Sequence, residues 1–168
     1  MRVLGVDPGT RHLGLGLVEQ QGGRYVHLAH FVLSPPEGEL SEKLKYLYEG
    51  MREVVAAHRP EAVAVEGVFY ARNARSAIVL AHARGVALLV AAQAGLGVFE
   101  YPPAKVKRAV GASGAAEKGA VSRMVCALLS LESIERADSA DALAVAICHL
   151  NHARPATPPG GYTIVRRS

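Results

Sequence analysis

The chain has 168 residues, half of them hydrophobic, which is enough for one domain with a real core, and its formal net charge is +4. Wholly apolar stretches stay short of the ~20 residues that a membrane span needs, and the start, MRVLGVDPG, lacks the apolar region and small-residue cleavage site of a secretory signal. Cys126 and Cys148, far apart and not in a C-x-x-C pair, read as free thiols of a reducing cytoplasm, so a globular cytoplasmic protein without a membrane anchor is expected.

In chain order, residues 2–7 read as a strand that ends in Asp7, followed by the turn chemistry of Pro8 and Gly9. LGLGLV (13–18) and YVHLAHFVL (25–33) read as two further strands around a QQGG turn (20–23), making an antiparallel meander. Leu40, Leu44, Leu47, Met51, Val54 and Val55 recur at helical spacing, and Pro60 closes that helix. AVAVE (62–66) is a short buried strand ending in Glu66. Residues 73–94 form a long helix, apolar nearly all round and so expected to be buried on every face. VFEY (98–101) is a fifth strand, ended by Pro102 and Pro103. Helices follow over about 115–131 and 138–152, with GASG (111–114) as a joint before the first. The Pro/Gly-rich end, residues 153–168, reads as a disordered tail outside a single domain of residues 1–152.

This order predicts an α/β fold with a five-stranded mixed sheet, antiparallel meander plus parallel strands, and helices on both faces. The first and third strands of a meander run the same way, and right-handed crossovers return later strands parallel to them. With the fourth strand beside the first, Asp7 and Glu66 end neighbouring strands about 4.8 Å apart. That edge, outside the carboxyl ends of parallel strands, is where open α/β sheets bind ligands. Asp138 and Asp141 in RADSADALAVAICHL stand three apart at a helix start and share one face, although Asp138 could equally serve as an N-cap. Four carboxylates converging on one point raise one another's pKa values unless a cation sits among them, and an all-oxygen set suits Mg²⁺ or Mn²⁺ rather than zinc. Two such ions can activate a water and stabilise the leaving oxygen of a phosphodiester. Between Gly67 and Arg123 lie eight Lys/Arg against two acids, Glu100 and Glu117, so the rest of the chain is net negative. A basic band around an acidic centre suits a nuclease, whose substrate is a polyanion.

GVDPGTRHLGLGLV, VEGVFYARNARSA, PPAKVKRAVGASGAAEK and RADSADALAVAICH resemble, in order and spacing, the successive motifs of RuvC-type Holliday junction resolvases of the ribonuclease H-like superfamily. The resemblance spans about residues 1–152. It implies a magnesium-dependent, dimeric endonuclease that nicks two strands of a four-way DNA junction, leaves 5′-phosphate ends and works with a branch-migration helicase complex. Asp7, Glu66, Asp138 and Asp141 fall on the family's metal-binding catalytic positions, which implies Mg²⁺ (or Mn²⁺), two ions per site. Lys107 and Lys118 match positions that support catalysis and bind phosphate. Phe69 matches an aromatic that stacks on opened bases, a role Tyr70 could share. Arg72, Asn73 and Arg75 are candidate backbone contacts, and Lys105, Thr10 and Arg11 further candidates for phosphate. His149 and His152 form an H-x-x-H pair without further nearby ligands and read as the end of an amphipathic helix. The long helix at 73–94 packs one side on the sheet, so its other side needs a partner; the same helix of a second subunit in a two-fold dimer suits that need.

Three rivals stand beside this reading. DPGTRHLGLG resembles the phosphate loop of actin/sugar-kinase-type ATPases, but 168 residues are too few for two ATP-enclosing lobes. The YqgF-type RNA-processing nucleases share the opening motif, yet VFYARNARSA and the paired late aspartates fit the resolvases better. A non-catalytic junction-binding module would not need all four acids.

Overall fold

The computed structural model describes residues 1–67, 74–112 and 119–153, with the backbone alone at 74–76. Its elements run β1 (Arg2–Asp7), β2 (Leu13–Gln21), β3 (Arg24–Leu33), α1 (Leu40–His58), β4 (Ala62–Glu66), α2 (Ala74–Gln93), β5 (Gly97–Tyr101), α3 (Pro103–Ala109), α4 (Ala120–Leu129) and α5 (Ala137–His152). The strands form one sheet in the order β3-β2-β1-β4-β5, antiparallel through the meander and parallel between β1, β4 and β5. The expected mixed sheet and its strand neighbours are therefore present.

Alternation along the strands splits the core in two. Leu4, Val6, Leu13, Leu15, Leu17, Val63 and Val65 pack beneath α1 and α2. Val3, Val18, Ala64 and Tyr101 face α3, α4 and α5 instead. The Leu/Gly alternation of β2 follows this division, because its leucines meet α1 and α2 while its glycines meet α5. A Cβ on Gly5 would lie 1.9 Å from the Ala142 carbonyl oxygen, and one on Gly16 would lie 2.6 Å from the Leu143 nitrogen. Helix α5 thus lies backbone to backbone on the centre of the sheet. Every residue from Ser139 to Leu150 except Asp141 is buried.

Three expectations need correction. Strands β2 and β3 run further than their apolar cores and meet at a two-residue turn, Gly22–Gly23, where φ is +54° and +81°. The Pro102–Pro103 pair does not only end a strand: Pro103 opens α3, because at the first helical position its missing N–H removes no hydrogen bond. Finally, α2 is not buried on every face. Ala83, Ala87, Val90 and Ala91 are buried, whereas Ile78 is 58% and Leu89 50% exposed. All-round apolarity marks a helix wanting cover on both sides, and a single chain covers one. Helix α4 begins at Ala120; residues 113–118 of its expected range, with most of the GASG joint, lie outside the described residues, as does the tail from residue 154. No helix among the described residues is long and apolar enough to cross a membrane.

Candidate active site

Asp7 and Glu66 are the last residues of β1 and β4, and the parallel register, Val6 beside Val65, leaves them neighbours at the sheet's edge. By alternation both belong to the face that carries α5. On its other flank Asp7 pairs with Gly14, and a Cβ there would lie 2.0 Å from the Asp138 carbonyl oxygen. The missing side chain of Gly14 is the space into which the first turn of α5 fits. That helix delivers Asp138 and Asp141, three residues apart on one face, to the ends of β1 and β4.

Asp138 is not the cap of α5. Arg136 holds the N-cap position with no side-chain cap bond, and the Ser139 hydroxyl donates back to the Arg136 carbonyl at 2.8 Å. Asp138 lies inside the first turn, favoured by the positive end of the helix, with its carboxylate 3.6 Å from the Arg136 guanidinium.

The field within this group is the one that clustered acids produce. Burial, then Glu66, Asp141 and Asp138 in that order, pushes Asp7 up to about 8. Burial and Asp141 push Glu66 up to about 7, against the pull of Lys107 on α3. Asp141 is raised by burial and by Asp138, again opposed by Lys107. Among the described residues no three His, Cys, Asp or Glu side chains close tightly enough to hold an ion, so these carboxylates share a field without yet forming a cage. Their chemistry nonetheless fits a hard divalent cation: the donors are all oxygen, and a cation relieves the repulsion that raises their pKa values.

A cavity of about 580 Å³ opens beside Asp7 and Asp138, bounded by Thr10, Arg11, Val79 and Leu80. Thr10 is buried in its wall and Arg11 is exposed at its rim. His12, which the motif reading passed over, also lines it and bonds Ser34 at 2.9 Å. A ring nitrogen three residues beyond Gly9 in GVDPGTRHLG was the available signal. Lys107 is exposed beside the acids, whereas the Lys105 ammonium stands 5.2 Å over the Tyr101 ring. Phe69, Tyr70, Arg72, Asn73 and Lys118 lie outside the described residues, as does the side chain of Arg75. His149 is a core residue, not part of an amphipathic helix end: it is 2% exposed, bonded to the Tyr101 hydroxyl at 2.8 Å, and its ring centroid lies 4.3 Å from that of Phe99, the planes tilted by 40°. His152 folds back onto the Cys148 carbonyl at 2.7 Å.

A profile of the family described as crossover junction endodeoxyribonuclease RuvC matches residues 3–149, the whole span from β1 to the last turn of α5. The chain belongs to the RuvC family. It is 61% identical to the crossover junction endodeoxyribonuclease RuvC of Myxococcus xanthus, over 94% of this chain and 84% of that one. The RuvC of Sorangium cellulosum is 49% identical over 91% of this chain and 86% of its own length. Among solved structures, RuvC of T. thermophilus in complex with a Holliday junction substrate superposes with a TM-score of 0.84 at 37% identity, covering 90% of this chain and 94% of that one. This RuvC-family chain therefore has the ribonuclease H-like architecture expected of it, and neither the YqgF-type nor the kinase-type alternative is favoured.

Proposed function

We infer that this chain is a structure-selective endonuclease that resolves four-way DNA junctions in recombination and repair. The observation that carries this reading is the carboxylate group at the sheet's edge: three acids with raised pKa values, a fourth on the same helix face as one of them, and a lysine beside them. Family membership supplies the substrate, since the T. thermophilus relative is bound to a Holliday junction.

Asp7, Glu66, Asp138 and Asp141 would hold Mg²⁺ or Mn²⁺, two ions per site. What such ions supply when bound is an activated water and stabilisation of the leaving oxygen. The protein's own residues do the rest. Asp7 and Glu66, whose protons burial and their neighbours hold up to about pH 8 and about pH 7, would release them to solvent on holding the ions. Lys107, which already offsets the charge of Glu66 and Asp141, counters the charge that builds on the phosphate. Water adds to phosphorus as it loses a proton to solvent, the bond from phosphorus to the 3′ oxygen breaks, that oxygen takes up a proton to leave as a 3′-hydroxyl, and the new end keeps its 5′-phosphate. Lys118 joins Lys107 in binding phosphate, Arg11 contacts the backbone from the cavity rim with Thr10 behind it, Lys105, Arg72 and Arg75 extend the basic band, and Asn73 adds a neutral contact to the DNA backbone. Phe69, aided by Tyr70, stacks on bases opened at the junction.

The active unit is a homodimer joined through α2, whose outer stripe of Ile78, Ala81, His82, Gly85, half-buried Val86 and Leu89 lines an apolar groove. A two-fold pair of sites suits paired nicks on a junction of near two-fold symmetry. A branch-migration helicase complex is the partner implied by the family resemblance. The test is a labelled four-way junction incubated with Mg²⁺, beside linear duplex and an ATP-hydrolysis assay. Paired nicks in the junction alone are expected; ATP turnover without nicking would overturn the reading.

A further inference from the structure

At the edge of the sheet, with β2 between it and β1, strand β3 carries two histidines that the chemistry proposed for the acids does not use. His27 and His30 are three residues apart, a spacing that puts side chains on opposite faces of a regular strand. Here the strand is not regular. Ala29 pairs with Leu17 and His27 with Val18, so Leu28 is an extra residue in β3, a β-bulge. The bulge returns His27 to the face of His30. That face is the α5 side, because their partners on β2 are Val18, in the α5-side core, and Gly16, which lies against Leu143 of α5.

The result is a pair of imidazoles with convergent nitrogens. His27 Nε2 and His30 Nδ1 are 2.9 Å apart, the ring centroids are 5.0 Å apart, and the planes are tilted by 51°. Two nitrogens that each lie about 2.0–2.1 Å from one tetrahedral ion stand about 3.3–3.4 Å apart, so a separation of a few tenths of an ångström more than that of this hydrogen bond makes the pair a chelate. Both side chains are half-buried, and burial together with its neighbour holds His27 in the neutral form that ligates metals. The structure assigns His27 and His30 as a two-nitrogen chelating site for a borderline transition ion such as Zn²⁺, distinct from the oxygen-ligand site of the acids. The ion replaces the hydrogen bond between the rings: the proton that makes it, on His27 Nε2 or on His30 Nδ1, moves through solvent to the other nitrogen of its own ring, leaving both facing nitrogens as lone-pair donors. Solvent completes the coordination. Imidazole donors suit Zn²⁺, Cu²⁺ and Ni²⁺, whereas Mg²⁺ prefers oxygen, so the two sites divide by ligand chemistry.

The test is isothermal titration of the full chain with Zn²⁺ in excess Mg²⁺, which occupies the acids. Wild type should show one binding event that weakens about tenfold or more in His27→Asn and in His30→Asn, the scale on which a lost metal partner is felt. That event should persist in Asp7→Asn and in His152→Asn. An unchanged isotherm in the double His27→Asn/His30→Asn variant, or no event in wild type, would overturn the assignment. Should the variants fold poorly, imidazole ¹⁵N shifts in wild type decide the matter: Zn²⁺ should move His27 Nε2 and His30 Nδ1, and shifts confined to other histidines would refute the site.

Discussion

The two faces of the sheet are packed by different means. Beneath α1 and α2 the sheet presents Leu4, Val6, Leu13, Leu15, Leu17, Val63 and Val65, and large side chains set the distance between layers. Beneath α5 it presents Gly5, Gly14 and Gly16, and backbone meets backbone. Interdigitated side chains can repack by changing rotamers; a helix resting on bare glycines has no such slack. The close-packed face is the one that places Asp138 and Asp141 against Asp7 and Glu66. The other ends in α2, whose outer stripe stays open. Rigid positioning lies where the four acids are proposed to share ions, and adaptable apolar surface lies where association is proposed.

The most direct attack on the close-packed face is at the acids themselves. Asp138→Asn, or Asp7→Asn, should lower junction cleavage by ~10²-fold or more, with junction binding in a gel-shift assay unchanged or tighter. Wild-type cleavage by Asp138→Asn would remove Asp138 from the ligand set.

The contrast between faces is sharpened by a matched pair of core changes. Gly5→Ala should cost about 1–3 kcal/mol by overpacking α5, and Leu17→Ala about 2–5 kcal/mol by opening a cavity. Chemical denaturation measures both. Cleavage by the folded fraction should fall steeply only in Gly5→Ala, because that change displaces the helix bearing two of the acids. Equal specific activities would mean that the glycine contacts do not position the site.

A third experiment exploits the strain held on the α5 side. Asp7 keeps its proton to about pH 8 when folded but loses it near its ordinary value of 3.8 when unfolded; Glu66 behaves alike, from 4.5 to about 7. Folding therefore takes up protons in this window, and stability is greatest below it and lost as pH rises through the folded values. In EDTA, the melting temperature should fall markedly between pH 5 and pH 8, and Asp7→Asn should remove most of that slope. Calorimetry at both pH values settles it, and a flat profile in wild type contradicts the shared field. The smallest effect on stability is expected on the open face. Leu89→Asp should change monomer stability by no more than about 0.5 kcal/mol yet shift the sedimentation coefficient from dimer towards monomer.

Much of this organisation is legible in the sequence because it is local. Apolar runs ending in Asp7 and Glu66, and helical spacing at Leu47, Met51 and Val54, declare their elements directly. What escaped depends on neighbours distant in the chain. Nothing near Gly14 says that Asp138, more than a hundred residues on, will fill the place of its side chain. The bulge at Leu28 is written in no residue type, since it arises from how β3 pairs with β2. Helix α3 is too short for periodicity to show, and its Pro103 reads as readily as a stop. The apolarity of α2 was plain, but apolarity alone does not say which side the chain itself covers.

The placement of α5 also bears on how the protein is made. The hairpin of β1 and β2 needs only contacts close in sequence and can form early, while α5 is the last described element to leave the ribosome. Half of the acid cluster travels on that helix. A nascent chain holding β1 through β5 has Asp7 and Glu66 at its sheet edge but lacks the other two acids. On the proposed role of the four acids, the capacity to cut DNA is withheld until α5 has closed over the glycines, so synthesis itself acts as the safety catch.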